Sequence, residues 1–119
     1  MKVPKPGAPV RGSSSGRPVM AVLDALGRRG ALRVGWELLE QPLGFRELQR
    51  RTEISSPTLL MQRLREAVEL GTVCKDAEGR YALTPHGREL VDILVPLDAW
   101  SKRWAKRLAS RRRAPARSR

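Results

Sequence analysis

The stretch ISSPTLLMQRLREA, residues 54–67, decides the fold. It places two serines and a proline directly in front of a run in which leucine recurs at helical spacing. Serine is a preferred N-cap and proline a preferred first helical residue, so Ser55 or Ser56 is predicted to cap a helix that begins near Pro57. Gly71 is predicted to end this helix in the left-handed conformation that glycine adopts without strain.

The predicted helix has an apolar face and a polar face. At 3.6 residues per turn, the apolar face consists of Leu60, Leu64, Ala67 and Val68. The opposite face consists of Thr58, Gln62, Arg65 and Glu69, with Met61 at its margin. Hydroxyl, amide and guanidinium groups can hydrogen-bond to phosphates and base edges. A solvated surface is the commoner fate of such residues, but their position behind a capped turn favours DNA contact.

Three helical segments are predicted before residue 54. The first begins at Pro18, and its apolar side consists of Val19, Val22, Leu23 and Leu26. The second covers residues 31–40, and its buried stripe is predicted to be Leu32, Trp36, Leu38 and Leu39. The third is FRELQRR, residues 45–51, which is a short helix or a strand residue followed by a helix, with Phe45 and Leu48 inward. Ile54 is predicted to fill the core behind it.

A β-hairpin is predicted after the helix that starts near Pro57. TVCK and RYAL, residues 72–75 and 80–83, are strand-compatible runs around the glycine-containing turn DAEG. Val73, Tyr81 and Leu83 are predicted to pack inward, with Lys75 and Arg80 flanking the tip.

A long helix is predicted to end the folded region. Thr84 is its predicted cap, Pro85 lies in its first turn, and Pro96 is predicted to kink or interrupt it. The order of helix, helix, short helix, turn, helix and hairpin is that of a winged helix-turn-helix, so the predicted fold is mainly α-helical with a small β-hairpin wing. In such folds the helix after the turn lies in the major groove.

The positive charge of the chain is concentrated at its two ends. The formal net charge is +12, but residues 18–101 hold 11 basic and 12 acidic residues. Residues 1–17 are predicted to be a disordered, basic tail rich in Pro, Gly and Ser, and residues 110–119 a second basic disordered tail. The domain between them, residues 18–109, includes the last helix. Basic tails attract polyanions without reading their sequence.

The predicted DNA contacts come from three segments of this domain. They are Arg46, Ser55, Ser56, Thr58, Met61, Gln62, Arg65, Lys75 and Arg80. Ser55 and Ser56 are expected mainly to cap the helix, and a capping hydroxyl can also contact a phosphate. Lys75 and Arg80 could instead be ordinary surface residues of a hairpin.

The sequence resembles the HxlR-type transcriptional regulators over about residues 19–108, and three segments carry the resemblance. LGRRGALRVGWELLEQPLGFRELQRR, residues 26–51, resembles the opening half of that family. The matching positions are Leu26-Gly27, Glu37-Leu38-Leu39, Pro42, Phe45 and Glu47-Leu48. RLREAVELG and RYALTPHGREL, residues 63–71 and 80–90, resemble the end of the family's recognition helix and its join between wing and last helix. Gly30 stands where the family often has a tryptophan, and residues 54–60 are one residue longer than usual.

The resemblance implies a homodimer that pairs its N- and C-terminal helices and binds a palindromic operator in double-stranded DNA. MarR and PadR regulators share the general shape. The residues predicted to form the dimer interface are Leu23, Leu90, Leu94, Leu97, Trp100, Trp104 and Leu108. Trp100 and Trp104 lie four residues apart, so packing in a core or dimer is favoured over base stacking.

Other classes of function are less well supported by the residues. The sequence has no paired-carboxylate motif, nucleophile elbow or phosphate-cradling glycine loop, so we predict no enzyme activity and no cofactor. Single Cys74 and His86 residues cannot form a tetrahedral metal site. Cys74 is predicted to be an inert packing residue, and a redox role, which needs an exposed thiol of lowered pKa, is left open. No membrane span is predicted, and the expected location is the cytoplasm, in association with the nucleoid. A nonspecific nucleoid-binding protein driven by the basic tails is the main alternative; a small-molecule effector is left open.

Overall fold

The computed structural model describes residues 3–113, and it has the predicted mainly α-helical fold with a two-stranded hairpin. The helices are α1 (Pro18–Gly27), α2 (Ala31–Glu37), α3 (Phe45–Thr52), α4 (Pro57–Leu70) and α5 (Pro85–Arg113). The strands β1 (Val73–Lys75) and β2 (Tyr81–Leu83) lie between α4 and α5. This order is that of a winged helix-turn-helix, as the sequence predicts.

Both ends of α4 are stabilised as the sequence predicts. The Ser56 Oγ accepts a hydrogen bond from the backbone N–H of Leu59 at 3.1 Å, and Pro57 is the first helical residue. Gly71 ends the helix with φ at 83°, a conformation that most other residues avoid. These local signals confirm both predicted boundaries of the helix.

The core lies where α2, α3, α4 and the hairpin meet. Its fully buried side chains are Val34, Leu38, Leu48, Leu60 and Leu64. The predicted stripe of α2 was wrong at Leu32, which is 45% exposed, whereas Leu38 is buried as predicted and Trp36 and Leu39 are half-buried. Val34 and Leu38, four residues apart, form the face toward α3 and α4, and Leu32 lies on the other side of the helix.

The buried face of α4 is rotated relative to the prediction. Leu60 and Leu64 are buried as predicted, but Val68 is 48% exposed. The side chains buried beside the leucines are Arg63 and Glu66, which are paired with each other. The prediction assumed that the charged residues of α4 are exposed. The predicted buried face was therefore rotated toward Val68 and away from Arg63 and Glu66.

The hairpin is tied to the segment before α3. The two strands are antiparallel, with Val73 opposite Leu83 and Lys75 opposite Tyr81. The backbones of Leu43 and Tyr81 exchange two hydrogen bonds at 2.8 and 2.9 Å, which gives the hairpin a short third partner. Cys74 points away from the core and is exposed, so its prediction as a packing residue was wrong; alternation along the strand sends it outward.

Helix α5 is longer and more continuous than predicted. Thr84 caps it by accepting a hydrogen bond from the Gly87 N–H at 2.9 Å. Pro96 does not interrupt it, because Pro96 is exposed and water can satisfy the carbonyl that loses its intrahelical partner. The helix continues through Arg113, so the predicted domain limit at residue 109 falls inside it.

The residues predicted as an N-terminal tail lie in turns against α1 and α4. Pro4 is buried, and the Lys5 ammonium lies 3.3 Å from the Glu69 carboxylate on α4. The Arg11 guanidinium lies 3.3 Å from Asp24 on α1. Residues 1–2 and 114–119 of the two predicted tails lie outside the described residues.

We predict that Gly87→Ala destabilises the domain. A Cβ at Gly87 would lie 1.9 Å from the carbonyl oxygen of Thr72, so α5 would have to move away from the hairpin. Overpacking of this kind costs about 1–3 kcal/mol or more. Chemical denaturation of the variant and the wild type measures the difference in the free energy of unfolding.

The matched control is Gly35→Ala, whose Cβ would lie 3.7 Å from Val91 in an ordinary contact. It is expected to leave stability unchanged or to raise it, since alanine is the better helix former. Equal loss of stability in both variants would contradict the close approach of α5 to Thr72.

Candidate nucleic-acid interface

The turn between α3 and α4 is fixed by backbone conformation and by one side chain. Glu53 ends α3 with φ at 59°, in the left-handed region. Ile54 then packs against the core, and a Cβ on Gly30 would lie 2.8 Å from its Cδ1 atom. Gly30 also has φ at 83°, so both its conformation and its space favour glycine. A tryptophan at position 30 would clash with the Ile54 side chain as it is placed here.

The first turns of α4 present the predicted polar face to solvent. Ser55, Ser56, Thr58 and Arg65 are exposed, whereas Met61 and Gln62 are half-buried. The Gln49 amide donates a hydrogen bond to the Ser55 carbonyl at 3.2 Å, which holds α3 beside the start of α4. Within residues 3–113, Arg65 makes no ion pair, so its guanidinium is available to a phosphate or a base.

Helix α3 has one arginine available for contact and two that are paired. Glu47 binds the guanidinium of Arg50 and lies 2.8 Å from that of Arg51. Its hydrogen bond from Arg50, followed by that from Arg51, lowers the pKa of the Glu47 carboxyl to about 2. Arg46 is exposed and has no ion pair in the described part of the chain. Arg46 is therefore the free cation of α3, next to the start of α4.

The two predicted contact residues of the hairpin already have intramolecular partners. The Lys75 ammonium lies 5.4 Å from the centre of the Tyr81 ring, a weak cation–π contact. The Arg80 guanidinium lies 3.0 Å from the Asp76 carboxylate and also pairs with Glu78. Hydrogen bonds from the Arg80 and Glu78 backbones, with that from Arg80 the largest cause, lower the pKa of Asp76. A phosphate would have to compete with these partners for Arg80.

Sequence reasoning missed a buried ion network under α4. The Glu66 carboxylate lies 2.8 Å from the Arg28 guanidinium and 3.1 Å from that of Arg63. Arg63 also donates a hydrogen bond to the Arg29 carbonyl at 2.7 Å. All three side chains are about one-tenth exposed. The signal in the sequence is that Arg63 and Glu66 lie three residues apart and that Arg63 borders the leucine face of the wheel. The network joins the loop after α1 to the inner side of α4.

The residues predicted to form a dimer interface divide into two groups. Leu94 is buried within its own chain and Leu90 is half-buried, because both face the core side of α5. Leu23, Leu97, Trp100, Trp104 and Leu108 are each between 39% and 56% exposed. The rings of Trp100 and Trp104 stack with their centroids 5.7 Å apart. Leu97, Trp100, Trp104 and Leu108 form an exposed apolar stripe along α5, and Leu23 is exposed on α1.

Within residues 3–113, no helix is both long enough and apolar enough to cross a membrane. The same residues contain no group of three or more His, Cys, Asp or Glu side chains that could hold a metal ion.

We predict that Glu66→Gln destabilises the domain by about 3–5 kcal/mol, because it leaves two buried guanidinium groups without their carboxylate. Thermal and chemical unfolding measure the loss. Glu47→Gln is the matched control, since it removes a carboxylate that also pairs with two arginines but lies on the exposed side of α3. It is expected to cost clearly less, because water screens exposed pairs. Similar losses in the two variants would show that the network under α4 contributes no more than a surface pair.

Comparison with known proteins identifies a family and a set of similar structures. The sequence model of the HxlR-like helix-turn-helix family matches residues 25–109, which is more than half of the chain. No protein with a curated description matches the sequence.

Several solved structures share the fold. The quinone-bound form of YodB from B. subtilis has a TM-score of 0.67 and 24% identity, and the match covers 71% of this chain and 96% of that one. A protein of Thermoplasma volcanium described as a possible HxlR family transcriptional factor has a TM-score of 0.62 and 22% identity, over 71% and 82% of the two chains. The redox regulator HypR, in its reduced form, has a TM-score of 0.64 and 26% identity, over 78% and 98%.

Proposed function

This chain belongs to the HxlR-like helix-turn-helix family and is a transcriptional regulator, and we propose that it acts as a homodimer on a palindromic DNA operator. The observation that carries the proposal is the exposed polar face at the start of α4. A helix held in this way, with its first turns free, fits the major groove of DNA and can read base edges there.

Three segments supply the proposed DNA surface. On α4 and its cap we propose Ser55, Ser56, Thr58, Met61, Gln62 and Arg65. On α3 we propose Arg46, and on the hairpin Lys75 and Arg80. Arg46 and Arg65 are exposed and unpaired within the described residues, so they can neutralise phosphates without breaking an internal contact. Lys75 and Arg80 contribute less, since their partners must first be displaced.

The apolar stripe of α5, together with the exposed Leu23 of α1, supports the proposed homodimer. Large apolar side chains at half exposure, aligned on one face, are costly in water and mark an interaction surface. The stripe runs along a 29-residue helix, so a second copy of the helix could cover it lengthwise. Two copies related by a two-fold axis would present two α4 helices to two inverted half-sites.

The domain limits and the cellular location follow from the same proposal. We retain residues 18–109 as the operator-binding unit and treat the basic residues beyond 109 as an electrostatic arm that helps it to associate with DNA. A regulator of this kind works on the chromosome, so a cytoplasmic, nucleoid-associated location is proposed. The role as a regulator involves no enzyme activity and no metal or cofactor.

A nonspecific DNA-binding protein is the second candidate, favoured by the exposed basic residues of α5 after residue 101. The two candidates differ in how binding responds to the removal of the arginines that follow residue 110. A chain that ends at residue 110 should keep its preference for promoter over random DNA and lose affinity for both, if the regulator proposal holds. Complete loss of binding would instead support the nonspecific candidate.

We predict that Arg65→Ala lowers the affinity for operator DNA by about 1–3 kcal/mol and reduces the difference between operator and random DNA. The physical reason is the loss of a free guanidinium on the exposed face of α4. Fluorescence anisotropy across a salt series measures both quantities. Arg29→Ala is the matched control, because it removes the same charge from an exposed side chain outside the proposed surface. Equal effects of the two substitutions would contradict a specific role for α4.

We predict that Trp104→Glu shifts the chain from dimer to monomer, with an apparent dimer dissociation constant at least tenfold higher, since a charge would enter the apolar stripe. Light scattering over a concentration series measures the shift. Ala99→Glu is the control, because Ala99 is exposed and lies on the opposite side of α5 from the stripe. A monomeric wild type, or an unchanged dimer in Trp104→Glu, would contradict the proposed interface.

A further inference from the structure

A cavity of about 280 Å³ lies behind α4, on the side away from the proposed DNA surface. It is lined by α1, α2, the second half of α4, the start of α5 and the N-terminal residues Pro4 and Pro6, and it is partly open to solvent. Small residues in the lining account for the empty space, because their short side chains do not fill the gap between the helices. They are Ala21, Ala25, Ala31, Gly35 and Ala67.

The wall of the cavity is mainly aliphatic, and its buried polar groups are already satisfied. Arg28, Arg63 and Glu66 line one side, where they pair with one another. Within residues 3–113, no buried side-chain nitrogen or oxygen lacks a hydrogen-bond partner. His86 and Glu89 reach the wall from α5, and both are exposed residues. In the buried part of the cavity, a charged ligand would therefore lose its hydration without gaining an unpaired partner.

We propose that this cavity binds a small, neutral, largely apolar molecule. A cavity of about 150 Å³ holds benzene, and ligand sites for drug-sized molecules begin at roughly 300 Å³. The volume here lies near the upper of these two values. It fits a molecule of two to three small rings, or an alkyl chain of comparable volume.

The N-terminal segment provides a way in. Pro4 is buried over the cavity. The neighbouring residue Lys5 forms an ion pair with Glu69, and both of these side chains are about half exposed. Ion pairs of this kind contribute little to stability. The segment can therefore open without disturbing the core under α4, and close again over a bound molecule.

The cavity also touches the inner side of α4. Glu66, Ala67 and Leu70 form part of its wall, while Arg65 is on the outer side of the same helix. A bound molecule would stabilise the packing that positions α4, and would change the affinity for DNA. This last step rests on the proposed function, whereas binding of the molecule does not.

The experiment uses two probes with the same ring system. N-phenyl-1-naphthylamine is neutral and fluoresces in apolar surroundings, and 8-anilino-1-naphthalenesulfonate adds one anionic group. Titrations of the full chain in about 0.5 M NaCl suppress binding of the anion to exposed arginines. We expect saturable binding of about one neutral probe per chain, and at least tenfold weaker binding of the anionic probe.

The location of the probe is read in the wild-type protein by NMR of ¹³C-labelled alanine methyl groups. Ala21, Ala25, Ala31 and Ala67 line the cavity and should shift on binding, whereas Ala77 and Ala99 do not line it and should not. Ala25→Phe fills the cavity and should weaken binding of the neutral probe at least tenfold, and Ala77→Phe is its control on the exposed hairpin tip.

Three results would overturn the proposal. The first is the absence of saturable binding of the neutral probe. The second is shifts at Ala77 and Ala99 equal to those at the cavity alanines. The third is binding that disappears as the dimer forms, because a second copy of the chain would then fill the space. If the probe binds at the cavity alanines and DNA affinity does not change, the ligand site is supported. Only the proposed coupling between the site and DNA binding through α4 would then be contradicted.

Discussion

The structure depends on how the inner side of α4 is held. Leu60 and Leu64 are buried in the core, and the carboxylate of Glu66 lies between the guanidinium groups of Arg28 and Arg63 beside them. Buried charges are tolerated only when they are paired and hydrogen-bonded, so this trio fixes the rotation of the helix about its own axis. Once that rotation is fixed, Thr58 and Arg65 must point to solvent. The same trio forms one wall of the cavity, so the proposed DNA surface and the proposed ligand site share a single helix.

Local signals in the sequence were sufficient to predict the elements and the ends of α4. The Ser56 cap, Pro57 and Gly71 act through backbone geometry alone, and the same is true of Thr84 at the start of α5. The rotation of the helices was harder to predict. Leu32 and Val68 were expected inside because they are apolar, and Arg63 and Glu66 were not recognised as buried because they are charged. Their burial depends on Arg28, which is distant in sequence, and helical periodicity carries no information on such a partner.

The candidate site shows the same division. The exposed residues of α4 were predicted from the wheel, and Arg46 was included on α3. The wheel could not distinguish free from paired cations. Arg50 and Arg51 form ion pairs with Glu47, and Arg80 forms ion pairs with Asp76 and Glu78. The positive charge available for DNA is therefore smaller than the number of arginines in α3 and the hairpin suggests. Much of the excess charge instead lies on α5, where it can raise affinity without selecting a sequence. We infer that selection depends on a few side chains of α4.

The central claim is that the outer face of α4 reads DNA bases, and a comparison of two DNA selections tests it most directly. Wild-type protein and Gln62→Arg would each be used to enrich bound duplexes from a randomised pool, followed by sequencing. Glutamine pairs best with adenine and arginine with guanine. The account predicts two inverted half-sites for both proteins, with the preferred base changed at one position in each half-site. An identical motif for the two proteins, or no enriched motif at all, would contradict it.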